Sequence, residues 1–202
     1  VQLQETQGAT VTVVTVGDAS VEPVMRKALA IGANDAIRVD GDARDAVGVA
    51  TQIAKVAKEG AYDIILTGRE SIDYNGGEVP GFVAGMLDYA FVNGCINLEV
   101  EGNTVTAVRD IDGGHQTVSA NFPVVIAGQN GLVPEADLRI PNMRGIMSAR
   151  TKPLNVVPAE AAGSKLNVVG YVKPEERGSV TMIDKDNVGE LVRLLHEEAK
   201  VI

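Results

Sequence analysis

Residues 68–79 read GRESIDYNGGEV, directly after the apolar run YDIILT and ahead of a small-residue segment ending AGML. Ser71, Asp73 and Asn75 supply short polar side chains, while Gly68, Gly76, Gly77 and Gly81 supply bare backbone. Glycines let successive N–H groups turn toward an anion, and a helix N-terminus behind them adds a favourable dipole. Phosphate binding is the chemistry this composition suits. An α/β connector needs about 2–6 residues, and this one spends roughly ten, so the loop is either slack or built to hold something. Its spacing matches neither a GxGxxG fingerprint nor a GxxxxGK[ST] loop, so it supports neither a dinucleotide site nor a P-loop ATPase.

Other chemistry is sparse. The two histidines are His115, beside a hairpin turn, and His196, on a C-terminal helix; both read as solvated surface residues. There is no GxSxG elbow and no histidine spacing that suits a metal. Asp110 and Asp112 flank a DGG turn and read as turn chemistry. A hydrolase is therefore not expected. Cys95 is alone, which rules out an internal disulfide or a paired-cysteine zinc site, and it reads as a small core residue.

The second unusual stretch is LRIPNMRGIMSARTKPLNVVPA, residues 138–159. It carries Arg139, Arg144, Arg150 and Lys152 with no acid. Together with Met143, Ile146 and Met147 it reads either as an adaptable docking surface for an acidic or mixed partner, or as a long loop whose apolar residues pack beneath it.

These stretches need a scaffold to position them. The chain has 202 residues, 45% of them hydrophobic, with a mean hydropathy of +0.08. That suffices for one core, with an appendage. Aromatics make up only 3%, so Val, Ile, Leu and Ala must build it. The net charge of −9 argues against nucleic acid or an anionic membrane as the main partner. No apolar run approaches the ~20 residues of a membrane span. The expectation is a soluble, intracellular protein that is not membrane-embedded.

ATVTVVTVG, DAIRVD and YDIILTG read as three buried strands, separated by helices near residues 21–30 and 42–58. The β-α-β-α-β order predicts an α/β, doubly wound, mostly parallel sheet. A further helix is expected at 79–87. Residues 97–120 alternate apolar and polar around EGN and DGG, as antiparallel hairpins do, and FPVVIAG returns to buried-strand composition. Residues 132–158 show no periodicity and contain four prolines. Residues 158–182 form a Gly/Pro-punctuated arm, followed by an amphipathic stripe of Val188, Leu191, Val192, Leu195 and Ala199. The expected division is 1–157 for the nucleotide-binding domain and 158–202 for an arm and helix that pack on a partner. The opening VQLQETQG resembles the end of a helix closed by Gly8, which predicts a preceding segment.

In this order, VTVVTVG, MRKALAIGAN, YDIILTGRESID, VRDIDGGHQTV, FPVVIAG and DLRIPNMRGIMSARTKPL resemble the β subunit of electron transfer flavoprotein over essentially the whole chain. The last block and R-x-IDGG are the most specific. The resemblance implies an adenine-nucleotide alpha-hydrolase-like fold and an electron carrier subunit, not an enzyme. It implies an α subunit that binds most of a redox-active FAD, and on this chain a structural AMP, or a second FAD in the electron-bifurcating type. Acyl-CoA dehydrogenases would donate electrons, as in fatty acid oxidation, and a membrane quinone oxidoreductase would accept them. The compartment would be cytoplasmic in a bacterium and the mitochondrial matrix in a eukaryote. By residue, the resemblance puts Val16, Gly68, Arg69, Glu70, Ser71, Ile72, Asp73, Gly76, Gly77, Glu78 and Val79 around the nucleotide. It puts Met143 at the dehydrogenase as the anchor, within the docking surface that the residues themselves suggest, Met143, Arg144, Ile146, Met147 and Arg150. Where the common type has Asn-Gln-Thr-Gly, this chain reads Gly77-Glu78-Val79-Pro80, losing amide and hydroxyl donors and gaining an acid. The resemblance implies a first strand of the family that would precede Val1. A stand-alone nucleotide-binding regulator of the universal-stress type is the rival from another class.

Overall fold

The computed structural model describes residues 1–42, 44–72, 74–160, 166–176 and 178–202. Asp73 of the expected nucleotide loop, and residues 161–165 and 177 of the expected arm, lie outside the described residues. The chain forms two compact units, Val1–Val168 and Val169–Ile202.

In the first unit, β1 (Thr12–Val16), β2 (Asp35–Asp40) and β8 (Leu154–Pro158) make a parallel sheet in the order β1-β2-β8. A second sheet runs β3-β7-β4-β5-β6, built from β3 (Ile64–Gly68), β4 (Ala90–Glu101), β5 (Thr104–Ile111), β6 (Gly114–Asn121) and β7 (Val124–Gly128). Strand β7 pairs in parallel with β3 and β4, whereas β4-β5-β6 is an antiparallel meander. The α/β, mostly parallel architecture with hairpins is as expected. The parallel strands nevertheless fall into two sheets, with β1 ending one and β3 ending the other.

Helix α1 (Gln2–Gln7) stops at Gly8, whose φ of 71° lets its N–H reach the Gln4 carbonyl. Helix α2 (Glu22–Ile31) buries Met25 and Leu29 against Ala36 of β2. Helix α3 (Ala46–Gly60) starts at Asp45, whose side chain accepts from the Gly48 N–H at 2.6 Å. Gly60 is its last residue, and Ala61 takes the left-handed turn at φ 47°.

With so few aromatics, helix and sheet approach through small residues. Ala50, Ala54 and Ala57 of α3 meet Val83, Ala84 and Leu87 of α4 (Val79–Leu87) over Val125 of β7. Alternation along β7 sends Val124 and Ile126 to the opposite face, where they join Val92, Cys95, Val105 and Ala107. Cys95 is fully buried, as its reading as a core residue required.

A helix and a strand lie where no periodicity was legible. Residues 132–158 contain α5 (Met143–Ala149) as well as β8. Strand β8 tolerates Pro158 because it is an edge strand and the proline is its last residue.

The second unit holds α6 (Val188–Arg193), which continues as one π-helical turn, Leu194–Glu198. Arg193 pairs with Glu190 and Glu197, so the polar side of this helix is laced by its own charges.

Candidate functional site

Strand β3 ends at Gly68 directly opposite Gly128, the last residue of β7. The turn out of β3 is held there by the Arg69 N–H, which donates to the Gly128 carbonyl at 3.0 Å. Beyond it the loop is a surface feature: Glu70, Ser71, Asn75, Gly76, Gly77 and Glu78 are exposed, and Ile72 is 97% exposed. The Asn75 N–H closes a turn on the Ser71 carbonyl at 2.8 Å. Asn75 and Gly77 both take left-handed φ values, 49° and 62°. Successive residues of alternating hand can gather backbone N–H groups into an anion-binding nest, and the Asn75 N–H is already taken by the Ser71 carbonyl. Helix α4 then starts at Val79, with Pro80 in its first turn and buried.

Val16 closes β1 in the other sheet. It lines a cleft of about 250 Å³ with Gly41, Asp42, Arg44, Gln52 and Glu160, and no described residue of the 68–79 loop lines that cleft.

Two anchors around this cleft were not singled out in the sequence. The first is Arg38, buried on β2. It donates to the Gly17 carbonyl (2.9 Å), to Asp40 (2.6 Å) and to Glu22 (3.0 Å). The hydrogen bond to Asp40, with Glu22 adding to it, raises the guanidinium's pKa above its ordinary value. One side chain thus ties the exit of β1 to the start of α2. The second is Gln52, buried on α3, which donates to the Glu160 carbonyl and accepts from its N–H, both at 3.0 Å. An arginine among the apolar residues of DAIRVD, two residues before Asp40, and a glutamine on an alanine-rich helix face were the signals available for them.

The basic stretch divides by role. Lys152 donates to the carbonyls of Leu29 and Ala33 at the end of α2, and Arg26 donates to those of Ala149 and Lys152. Arg139 pairs with Glu5. Lys152 is therefore a structural cation, capping carbonyls that α2 leaves open. Asn142 caps α5 through the Gly145 N–H at 2.7 Å. The inner face of α5 is Gly145 and Ala149, the latter 3% exposed. Its outer face presents Met143 at 75% exposure and Met147 at 56%, with Arg144, Ile146 and Arg150 also exposed.

His115 lies 3.5 Å from Asp110 across the β5-β6 pair, with both side chains exposed. Among the described residues no cluster of His, Cys, Asp and Glu suits a metal ion. No described helix is long and apolar enough to cross a membrane.

The class defined by this architecture is an α/β protein that brings a glycine-bearing loop to the carboxyl edge of its parallel strands, the edge at which such sheets bind ligands. Residues 1–162 match the family described as Electron transfer flavoprotein domain. Three relatives are named electron transfer flavoprotein subunit beta. That of Bacillus subtilis is 31% identical, covering 100% of this chain and 83% of the relative. That of Syntrophomonas wolfei is 33% identical over 87% of this chain and 69% of the relative. That of Sus scrofa is 30% identical over 95% and 76%. The chain belongs to the electron transfer flavoprotein family, as a β subunit.

Proposed function

We propose that this chain serves a heterodimeric electron transfer flavoprotein by holding a structural AMP and docking the donor dehydrogenase, with most of the FAD held by the α subunit. It then acts as a carrier subunit rather than an enzyme. Acyl-CoA dehydrogenases are the donor class and a quinone oxidoreductase the acceptor. The compartment is cytoplasmic in a bacterium and the mitochondrial matrix in a eukaryote. The observation that carries this reading is the outer face of α5, where exposed methionines sit between exposed arginines on a helix seated by Gly145 and Ala149. Unbranched methionine side chains fit varied pockets, and the arginines steer an acidic partner surface.

The loop fits a nucleotide held by backbone rather than by side-chain donors. Gly76 and Gly77 are exposed, and a β-carbon on Gly76 would meet nothing within 4 Å. Glu70 and Glu78 add negative charge there, so affinity for a phosphate rests on the N–H groups and on Arg69. FAD, when bound in the heterodimer, supplies the electron-accepting ring, and AMP supplies no redox chemistry. Residues 158–202 act as the partner-facing arm and helix, distinct from a nucleotide-binding domain of 1–157. In support, Val169, Tyr171, Val172, Val180 and Met182 are all more than four-fifths exposed.

Chromatography of nucleotides released from the purified heterodimer tests the reading, with one FAD and one AMP expected. Two FADs and no AMP would move the chain to the electron-bifurcating type. A homodimer that binds ATP would sink both.

A further inference from the structure

Three Asn-Gly dipeptides occur in the chain: Asn75-Gly76, Asn93-Gly94 and Asn130-Gly131. Such a pair carries its own chemistry. The backbone nitrogen of the following residue can reach the asparagine's Cγ, and glycine has no β-carbon to obstruct that approach. The dipeptides are alike in sequence, and the fold makes them unlike.

Asn93 lies within β4, paired opposite Ala127 of β7. Gly94 beside it is buried, and a β-carbon there would come within 3.3 Å of the Asp110 carbonyl oxygen. Strand pairing and packing hold that peptide. Asn130 is exposed, but its turn is fastened at both ends. The Gln129 N–H donates to the Cys95 carbonyl at 2.7 Å, and the Leu132 N–H closes on the Gln129 carbonyl at 3.4 Å. Leu132 then packs against the core. Asn75 differs from both. It and Gly76 are exposed, and its N–H donates only to the Ser71 carbonyl. Among the described residues, neither its side-chain amide nor the Gly76 N–H has a hydrogen-bond partner. A β-carbon on Gly76 would meet nothing within 4 Å, so the space around the reacting atoms is open.

We propose that Asn75 is a site of spontaneous deamidation. The Gly76 nitrogen bonds to Asn75 Cγ while the bond from Cγ to Nδ2 breaks, and Nδ2 departs as ammonia with the proton that Gly76 gives up. Water then opens the five-membered imide at either carbonyl, leaving aspartate or isoaspartate at position 75. Attack requires rotation of the Asn75–Gly76 peptide out of the left-handed geometry, which one exposed backbone hydrogen bond opposes only weakly. The product places a new carboxylate in a loop that already carries Glu70 and Glu78. On the reading that this loop holds a nucleotide phosphate, that charge repels the phosphate and lowers the affinity for AMP.

The test incubates the purified heterodimer at mildly alkaline pH, which favours loss of the Gly76 proton. Each of the three peptides is followed by mass spectrometry for the change from amide to carboxylic acid. Asn75 should convert about tenfold or more faster than Asn93 and Asn130 in the folded protein, and the three rates should converge in urea. Gly76→Ala puts a methyl beside the attacking nitrogen and should slow Asn75 by about tenfold or more while Asn130 keeps its rate. Equal rates at the three sites before unfolding overturn the proposal, as does a folded Asn75 that stays amidated while Asn130 converts. Asn75→Asp separates this inference from the nucleotide reading. Full AMP content in that variant, with wild-type Asn75 deamidating as expected, overturns the nucleotide reading of the loop and supports the modification.

Discussion

Gly145 of α5 lies so close to α2 that a β-carbon built on it would sit 2.3 Å from the carbonyl oxygen of Ala30. The obstacle is backbone, so no side-chain rotation can relieve it. Gly145→Ala should force α5 outward and cost about 1–3 kcal/mol of stability, as overpacking typically does. Because α5 carries the proposed docking face, the same change should slow electron transfer from the dehydrogenase while FAD content holds. Unchanged thermal stability and unchanged transfer would show that the two helices are not held in this contact.

Met143→Ala asks a different question of the same helix. Its side chain is 75% exposed, so truncation should barely move thermal stability. An anchor that fills a partner's pocket typically contributes about 2 kcal/mol or more, roughly thirtyfold in affinity. Electron transfer from the dehydrogenase should fall accordingly. Neutralising Arg144 or Arg150 should mainly lower the association rate, with the loss shrinking at high salt. A Met143→Ala protein that unfolds but docks normally when folded would make the residue core and the docking assignment wrong.

How much of this was legible in advance depended on whether an element carries its own signal. DAIRVD became β2 with the same bounds, and the helix expected at 79–87 is α4, because a turn or a breaker flanks each hydrophobic run. Helix α5 was invisible: it has seven residues, and its buried face is a glycine and an alanine that no hydropathy pattern marks. Strand β8 hid between Pro153 and Pro158. The exposed loop of the candidate site could be read from composition, since glycine and short polar residues act through local backbone geometry. Arg38 and Gln52 could not, because each acts on a backbone partner 21 or more residues away.

Gln52 fastens the chain where it leaves β8, and its loss should be local. Gln52→Leu leaves the Glu160 N–H and carbonyl without their partner, at a cost of about 1–3 kcal/mol. Hydrogen exchange at the Glu160 amide should accelerate while the β7 amides keep their protection. Lys55 adds an ion pair to Glu160 at 2.9 Å, which raises the lysine's pKa. That contribution is complete below the ordinary lysine range and is lost only as pH rises through the raised value. Slow exchange at Glu160 in the leucine variant would mean that something else holds the exit.

Cys95 should be inert. Burial pushes its thiol up, and its sulfur donates to the Asn97 carbonyl at 3.2 Å. The thiolate, which is the reactive form, is therefore scarce in the folded protein. A disulfide reagent at mildly alkaline pH should label Cys95 only after denaturation. Prompt labelling of the folded chain would show that the core around Val105 and Ala107 opens.

Two adjacent glycines separate a phosphate cradle from a slack loop. A β-carbon on Gly76 would meet nothing within 4 Å, and Gly76 has no left-handed φ, so Gly76→Ala should leave stability unchanged. If nucleotide phosphate is held by backbone N–H groups here, the added methyl obstructs that close approach, and the purified heterodimer should carry less AMP. Gly77 differs, because its φ of 62° strains any residue with a β-carbon. Gly77→Ala should cost about 1–2 kcal/mol in the left-handed region even though its nearest contacts are ordinary. It should therefore lower both stability and AMP content. The informative protein is the Gly76 variant: if it keeps its full complement of AMP, the loop does not hold the phosphate. In that event the nucleotide must be sought at the cleft by Val16, with Arg44 as the nearby cation.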